Sequence, residues 1–396
     1  MKIRRFASLL VFISFGFSLN NFAQEVNSIH ELQQTLEKTT TLNDRWRALA
    51  QAQQIPYTIG DSVAFLYRGA AKSVEWMGDF NGWGYDKKFN NKGKLIAHTD
   101  VWILKASFPK DARLDYKILL DGRTWILDPV NSHQQWSGVG GGSPNSELRM
   151  PLWKVDLALE QRSDIPHGRV QTEILFESKS LGYQITYSVY LPYGHDSLPV
   201  IYVTDGFEYM HPKMGNMITI LDNLIADKKI TPVMAIFIDH REPVNRSNNR
   251  RMDELAMSEK YLTFFTEEFI PLIEQSYPVA KGRENRAILG TSMGGLTSAY
   301  FIFSRPEIFG MAGIQSPAFW TKPQIYSLCD SVASSKTKIS MTSGVFNDAS
   351  ESTRKMKTIL ENNSCIYTYR ETNEGHSWGN WRNLIDDILI DFFGKK

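Results

Sequence analysis

The stretch "AILGTSMGGLTSAYF", residues 287–301, decides how the chain folds. It sets Ser292 between Gly290 and Gly294 in the pattern G-x-S-x-G, after an apolar run typical of a buried strand and before a helical run. A strand, a tight turn and a helix in this order lift a serine hydroxyl above the carboxyl edge of a parallel sheet. Glycines suit such a turn because a Cβ there would clash with the neighbouring strand or helix. The pattern predicts a nucleophile turn, and the alternative is an ordinary glycine-rich link.

Strands and helices alternate on both sides of this turn. Buried-strand sequences such as "LPVIYVTDG" and "PVMAIFID" are separated by amphipathic stretches such as "MGNMITILDNLIADKK", and "QTEILFES" followed by "YQITYSVYLP" is typical of a hairpin. Interleaved strands and helices predict a mostly parallel sheet with helices on both faces. We assign residues 151–396 to this domain.

The preceding residues follow another pattern. Short alternating runs such as "SVAFLYRG", "VWILKASF" and "LDYKILLDG", separated by turn residues, predict a small β-sandwich over residues 56–150. Residues 24–55 are polar with spaced apolar positions and predict one or two helices. The Gly/Ser/Pro-rich stretch 137–147 is predicted to be a linker that marks the domain boundary.

The first 23 residues have the composition of a secretory signal peptide. A basic start precedes an apolar run, residues 6–19, that is too short to span a membrane, and the small Ala23 suits cleavage. The sequence therefore predicts export to the periplasm or beyond the cell.

The overall composition excludes some partners. The chain of 396 residues carries 44 Lys and Arg against 43 Asp and Glu, a formal net charge of +1, so no basic face for nucleic acid is indicated. No later apolar run is long enough to cross a membrane, and nothing in the pattern indicates the oligomeric state. The two cysteines, Cys329 and Cys365, fit either a disulfide or two thiols. No metal cluster is evident, and the chemistry predicted below needs no cofactor.

A serine nucleophile needs a base and an orienting acid. His376, in the loop sequence "NEGHSWGNWR", is the only histidine after Ser292, and it lies between the last predicted strand and the last helix. Asp348 follows the strand "KISMTSGVF" and is the candidate acid, with Glu351 as the second choice. The other interpretation of Asp348 is a helix N-cap.

Charge that develops on a carbonyl oxygen needs two backbone donors. One candidate is the N–H of Met293, the residue after the nucleophile. The other is the N–H of Phe207 in the loop of "VIYVTDGFEY", where Gly206 allows close approach of the backbone.

Residues from about 168 to 394 resemble the putative-esterase branch of the α/β hydrolases. The resemblance rests on "YVTDGFEY", "RRMDELAMSEKYLTFFTEEFIPLIEQSYPV", "LGTSMGGLTSAYF", "SGVFND" and "GHSWGNWR". That branch includes enterochelin esterases, esterase D, the feruloyl and acetyl xylan esterases of carbohydrate esterase family 1, and mycolyltransferases. It implies an α/β-hydrolase fold, the triad of Ser292, Asp348 and His376, and oxyanion donors at Phe207 and Met293.

Two stretches of the predicted β-sandwich also resemble sequences of known domains. "VEWMGDFNGWG" and "LDYKILLDGRTWILDP" resemble early-set immunoglobulin-like domains, which include glycogen-binding modules. In those modules surface tryptophans stack on sugar rings, and the candidates here are Trp76, Trp83 and Trp125. The other interpretation is a purely structural domain, and Trp76 has the spacing of a core residue.

These features predict an exported serine esterase. Its substrate is a small-molecule or oligosaccharide ester, either a carbohydrate-linked acetyl or feruloyl ester or a siderophore trilactone of the enterochelin type. Candidate substrate-binding residues are Arg251, Trp378 and Arg382, although Arg251 also fits a bracing pair with Glu254. The alternatives are acyl transfer to an alcohol, or a carbohydrate-binding protein whose hydrolase domain is inert.

Overall fold

The computed structural model describes residues 26–138, 143–194, 197–329 and 336–395. The predicted signal peptide lies outside these residues. The helices are α1 Ile29–Leu36, α2 Leu42–Gln51, α3 Gly206–Met210, α4 Met217–Ala226, α5 Arg251–Leu255, α6 Glu259–Thr263, α7 Ile270–Ser276, α8 Met293–Ser304, α9 Ile325–Leu328, α10 Ser350–Asn362, α11 Trp378–Arg382 and α12 Ile385–Phe393.

The strands fall in two groups along the chain. The first group is β1 Tyr57–Ile59, β2 Ser62–Arg68, β3 Val74–Gly78, β4 Lys94–Leu95, β5 Val101–Ser107, β6 Arg113–Leu120, β7 Thr124–Ile126, β8 Gln134–Trp136 and β9 Pro144–Arg149. The second group is β10 Arg169–Ser178, β11 Tyr183–Leu191, β12 Val200–Val203, β13 Met234–Asp239, β14 Arg286–Thr291, β15 Met311–Gln315, β16 Lys338–Phe346 and β17 Ile366–Gly375.

The second group forms the predicted mostly parallel sheet. Its order is β10-β11-β13-β12-β14-β15-β16-β17; β10 and β11 form the predicted antiparallel hairpin at one edge, and β12 to β17 run parallel. Strands β12 to β15 are buried along their whole length, as expected for strands covered on both faces. The predicted α/β-hydrolase fold is confirmed.

Helices cover both faces of this sheet. On one face α6, α7, α8 and the π-helical turn Phe264–Phe269 build a core rich in aromatic side chains. On the other face α4 and α12 pack their apolar sides against the same strands. Because the strands are parallel, their carboxyl ends share one edge, and the predicted site residues follow strands at that edge.

The first group of strands forms the predicted sandwich. An antiparallel sheet of order β1-β2-β5-β4 faces the strands β3, β6, β7, β8 and β9, and a shared core joins the two layers. The prediction of a linker over 137–147 is wrong in its second half, because residues 144–149 form β9 and pair with β8. The pairing of β8 with β9 places the strands on both sides of residues 139–142 inside the sandwich. Composition alone does not distinguish a hairpin connection from a linker between domains.

The sandwich is joined directly to the hydrolase sheet. Strand β6 pairs with β17 at Arg113 and Glu374, so a single sheet of thirteen described strands runs through both parts. The ring of Phe346, at the end of β16, packs edge-on against Phe108 of the sandwich at 5.8 Å. The sandwich therefore lies against the edge of the hydrolase domain where β16 and β17 end.

Two smaller predictions concern cysteines and membranes. Cys329 and Cys365 are both thiols, the first buried and the second partly buried. In the part of the chain that the structure describes, no helix is both long and apolar enough to cross a bilayer.

Candidate active site

Ser292 stands at a strained turn between β14 and α8. Its φ is +58° and its ψ is −112°, a conformation that a residue with a side chain adopts only when its surroundings impose it. A Cβ at Gly290 would collide with Thr204 Oγ1 and the backbone of Gly294, and a Cβ at Gly294 would meet the same Thr204 oxygen. The crowding accounts for both glycines, and the strand–turn–helix setting is the one predicted.

The structure brings Ser292, His376 and Asp348 together. His376 Nε2 lies 3.0 Å from Ser292 Oγ, and His376 Nδ1 lies 2.6 Å from Asp348 Oδ1. The Asp348 side chain is fully buried, whereas the His376 side chain is 30% exposed. A buried carboxylate on one ring nitrogen and a hydroxyl on the other is the arrangement that lets an imidazole accept a serine proton.

Asp348 is held by the ends of two strands. It accepts hydrogen bonds of 2.6 Å from the backbone N–H of Gly344 and from Ser316 Oγ. Helix α10 begins at Ser350 with Ala349 as its N-cap, so the N-cap interpretation of Asp348 is wrong. Glu351 lies in the first turn of that helix.

Ser316 and Trp381 are site residues that the sequence reasoning missed. The Trp381 indole N–H donates to Ser316 Oγ over 2.9 Å, and its ring meets the His376 ring edge-on at 4.9 Å. Ser316 directly follows β15. The expectation that residues after parallel strands gather at one edge of the sheet, which located Asp348 after β16, therefore also indicates Ser316. The contact of Trp381 depends on how α11 packs, which strand patterns do not reveal.

Met293 and Phe207, the predicted oxyanion donors, each occupy the first turn of a helix. Met293 begins α8, and Phe207 is the second residue of α3, where backbone N–H groups lack intrahelical acceptors. A Cβ at Gly206 would lie 2.5 Å from the backbone N of Ile238, so the backbone of this loop does approach closely. The Phe207 ring turns away and stacks under the Arg241 guanidinium at 3.5 Å, facing a second cavity of about 320 Å³.

A cavity of about 500 Å³ opens over Ser292 and His376. Its lining comes from both parts of the chain. The hydrolase contributes the residues Glu208, Asn249, Arg251, Met252, Thr291, Ser292, His376, Ser377, Trp378 and Trp381, and the sandwich contributes Asp79, Trp83, Asp115, Ser137, Gly138 and Asn145. The sandwich therefore forms one wall of the candidate site.

The lining is rich in carboxyl groups. Burial, followed by repulsion from Asp115, raises the pKa of Asp79 well above its usual range. Burial and then the charge of Asp205 raise the pKa of Glu208 to about 7. Among the described lining residues the basic side chains are Arg251 and His376. The lining thus combines carboxyl groups of raised pKa with indole rings.

The three predicted substrate-binding residues differ in position. Arg251 lines the cavity, but its guanidinium makes hydrogen bonds of 2.6 and 2.8 Å to both carboxylate oxygens of Asp205. The expected partner Glu254 instead bonds His240 and Tyr183. Arg251 therefore braces the loop after β12.

Trp378 lines the floor of the cavity and is 2% exposed, with its indole N–H on Glu208 Oε2 at 2.6 Å. Arg382 is not among the described lining residues and donates to the carbonyl of Pro212 at 3.3 Å.

The tryptophans of the sandwich separate into three environments. Trp76 is fully buried in the sandwich core, so a sugar-stacking role for it is wrong. Trp125 is 46% exposed on β7, away from the cavity lining. Trp83 lines the cavity and has a positive φ of 59°, which the turn Asp79–Gly84 imposes.

Part of the chain matches a known protein family. Residues 178–392 match the family described as Putative esterase. The chain belongs to this family. The predicted resemblance is therefore confirmed for the hydrolase domain.

Two curated relatives match different shares of this chain. An endo-1,4-beta-xylanase/feruloyl esterase of Xylanibacter ruminicola is 32% identical over 239 residues, which cover 57% of this chain and 31% of that protein. The chain thus spans about a third of the length of that relative. The iron(III) enterobactin esterase of Escherichia coli is 24% identical over 285 residues, 68% of this chain and 67% of that protein.

A solved structure shares the fold over most of the chain. The ferric enterobactin esterase of Salmonella typhimurium superimposes with a TM-score of 0.73 at 18% identity, covering 87% of this chain and 98% of that one. At this identity the likeness concerns the fold alone.

Proposed function

We propose that the protein hydrolyses a carboxylic ester through an acyl-enzyme formed on Ser292. His376 Nε2 takes the proton from Ser292 Oγ as the oxygen attacks the ester carbonyl, and then gives it to the departing alcohol. Asp348 keeps the other ring nitrogen protonated and stabilises the imidazolium. Water, deprotonated by His376, then attacks the acyl-enzyme and releases the acid. The observation that carries this proposal is the 3.0 Å contact between His376 Nε2 and Ser292 Oγ at the edge of an open cavity.

The oxyanion of each tetrahedral intermediate is assigned to the backbone N–H groups of Met293 and Phe207. Both lie at helix starts, where the unpaired N–H groups and the helix dipole favour negative charge. The close packing of Gly206 against β13 supports the position of the second donor.

The substrate is proposed to be an uncharged ester of a carbohydrate. Carboxyl groups and the amide of Asn145 offer hydrogen-bond partners for sugar hydroxyls, and Trp83 offers an apolar face. A ferric tris-catecholate carries net negative charge, and Arg251, the arginine among the described lining residues, is already held by Asp205. Because this arginine is already paired, the lining favours a neutral acetyl or feruloyl sugar ester over a ferric siderophore trilactone.

A substrate comparison tests this choice. We expect kcat/KM for a feruloylated or acetylated xylo-oligosaccharide to exceed that for a ferric catecholate trilactone by at least about tenfold, because one uncompensated charge contact costs on the order of 1–2 kcal/mol. Iron-free trilactone separates the effect of charge from that of size. A preference for the ferric trilactone would overturn the carbohydrate assignment and leave the esterase mechanism standing.

Export is a further part of the proposal. The leader-like composition of residues 1–23 supports cleavage after Ala23. Expression of the whole chain in a bacterial host, followed by N-terminal sequencing of protein released from the periplasm, tests it. An uncleaved, cytoplasmic product would contradict it.

A further inference from the structure

We infer that Arg113, on strand β6 of the sandwich, is a positioning residue for His376. This inference rests on the proposed role of His376 as the base. It makes the sandwich part of the catalytic apparatus, in addition to its place in the cavity wall.

The first contact is through the backbone. Arg113 is in register with Glu374, two residues before His376, where β6 adds to the edge of the hydrolase sheet. The chain that leaves β17 toward His376 is therefore aligned by a strand of the sandwich.

The second contact is through the side chain. Arg113 Nη1 donates to the hydroxyl of Ser377, the residue directly after His376, over 3.0 Å. A Cβ at Gly379 would collide with the Arg113 guanidinium, so this glycine leaves space for the arginine. Residues on both sides of His376 are thus tied to Arg113, Glu374 through strand pairing and Ser377 through the guanidinium.

The guanidinium is itself held in place. It is fully buried, with Nη2 on Asp115 and Nε on Glu147 Oε1 at 2.6 Å. Burial alone would lower the pKa of Arg113, but the surrounding carboxylates raise it instead. The planar guanidinium therefore stays charged and keeps its orientation, so its hydrogen bond to Ser377 has a fixed direction.

The sandwich also contacts the loop that carries Asp348. The backbone carbonyl of Asp79 accepts a hydrogen bond of 2.8 Å from the side chain of Asn347, the residue before Asp348. Gly375, the residue before His376, packs so tightly on the Asp79 carboxyl group that a Cβ would collide with it. The loops of the acid and the base therefore meet the same sandwich turn.

The test alters the partner of Arg113, because replacing Arg113 itself would leave buried carboxylates uncompensated and unfold the protein. Ser377→Ala removes the hydroxyl and keeps every charge pair. Ser377→Thr keeps the hydroxyl. Ser146→Ala is the matched control, since it removes a buried hydroxyl inside the sandwich that accepts from the N–H of Asp128. Each full-length variant is compared by its melting temperature, by kcat and KM for p-nitrophenyl acetate, and by its rate of fluorophosphonate labelling.

We expect Ser377→Ala to lower kcat and the labelling rate by about ten- to a hundredfold with an unchanged KM, as misplacement of a catalytic group does. Ser146→Ala should stay within about threefold of wild type, and Ser377→Thr, which keeps the hydroxyl, should recover most of the loss in labelling rate seen in Ser377→Ala. A wild-type labelling rate for folded Ser377→Ala, or equal losses in Ser377→Ala and Ser146→Ala, would overturn the inference. Absence of labelling in the wild-type protein would instead contradict the proposed esterase function.

Discussion

Ser316 Oγ donates a 2.6 Å hydrogen bond to Asp348 Oδ2, while it accepts the indole N–H of Trp381. Ser316 is fully buried and has a φ of +40°. The serine therefore fixes the carboxylate that faces His376, and it does so from a backbone conformation that its surroundings impose.

Ser316→Ala should lower kcat by about tenfold with little change in KM, because Asp348 loses one of the groups that orient it. The free energy of unfolding should fall by about 1–3 kcal/mol, since the Trp381 N–H is left buried without a partner. Steady-state kinetics and urea unfolding measure the two effects. Ser298→Ala is the control, because among the described residues that buried hydroxyl donates to the carbonyl of Gly294 and makes no contact with the triad. Equal kinetic losses in both variants would show that Ser316 has no special role.

Gly294→Ala should destabilise the turn through a single steric conflict. The added Cβ would meet Thr204 Oγ1, and overpacking of this kind costs about 1–3 kcal/mol. Thr204→Ala removes that oxygen. The double variant should therefore recover most of the loss, giving a favourable coupling of about 1 kcal/mol or more in a double-mutant cycle measured by urea unfolding. Simple additivity of the two changes would contradict the crowding described for this turn.

Glu374 should make the protein less stable as the pH rises. Its pKa is raised from 4.5 to about 8 by burial, against the opposing attraction of Arg113. Arg113 Nη1 is 3.8 Å from Glu374 Oε2, and that oxygen has no hydrogen-bond partner among the described residues. The folded state therefore binds the proton more tightly than the unfolded state, and this contribution to stability is lost between about pH 4.5 and pH 8.

Glu374→Gln cannot ionise, so its melting temperature relative to wild type should rise between pH 6 and pH 8. Glu371→Gln on the same strand is the control. Hydrogen bonds from Arg354 lower the pKa of Glu371, so its effect should be the same at both pH values. Parallel pH dependences for wild type and Glu374→Gln would contradict the raised pKa.

Trp83 should contribute to binding of an oligosaccharide ester. Trp83→Ala is expected to raise KM for that substrate by about tenfold, or about 1.4 kcal/mol, with p-nitrophenyl acetate little affected. Trp125→Ala removes an exposed tryptophan of the same sandwich that does not line the cavity. Identical KM values for the two variants would show that Trp83, and with it this wall of the cavity, does not contribute to substrate binding.

Much of the fold could be predicted because its signals are local. Buried strands and amphipathic helices each have a characteristic periodicity of apolar residues. Ser292 lies at the point where a strand pattern ends and a helix pattern begins. His376 and Asp348 could be proposed because the fold delivers polar residues at the ends of successive strands, and the chain has a single histidine beyond the serine.

The remaining features of the site depend on contacts between segments that are far apart in the sequence. Arg113 and Ser377 are 264 positions apart, and nothing in either neighbourhood indicates the other. The different positions of Trp76 and Trp83 were predictable only in part. Strand alternation predicts that Trp76 lies in the core, but it does not indicate that the turn carrying Trp83 faces the hydrolase domain. The pairing of Arg251 with Asp205 rather than Glu254 depends on how α5 packs against the loop after β12.

The most direct test of the account is labelling of the folded, full-length protein by a fluorophosphonate, compared between wild type and Ser292→Ala. One covalent adduct is expected on wild type, located by mass spectrometry at Ser292, and none on the variant. An unlabelled wild-type protein, or equal labelling of Ser292→Ala, would contradict the claim that Ser292 is the nucleophile of an esterase.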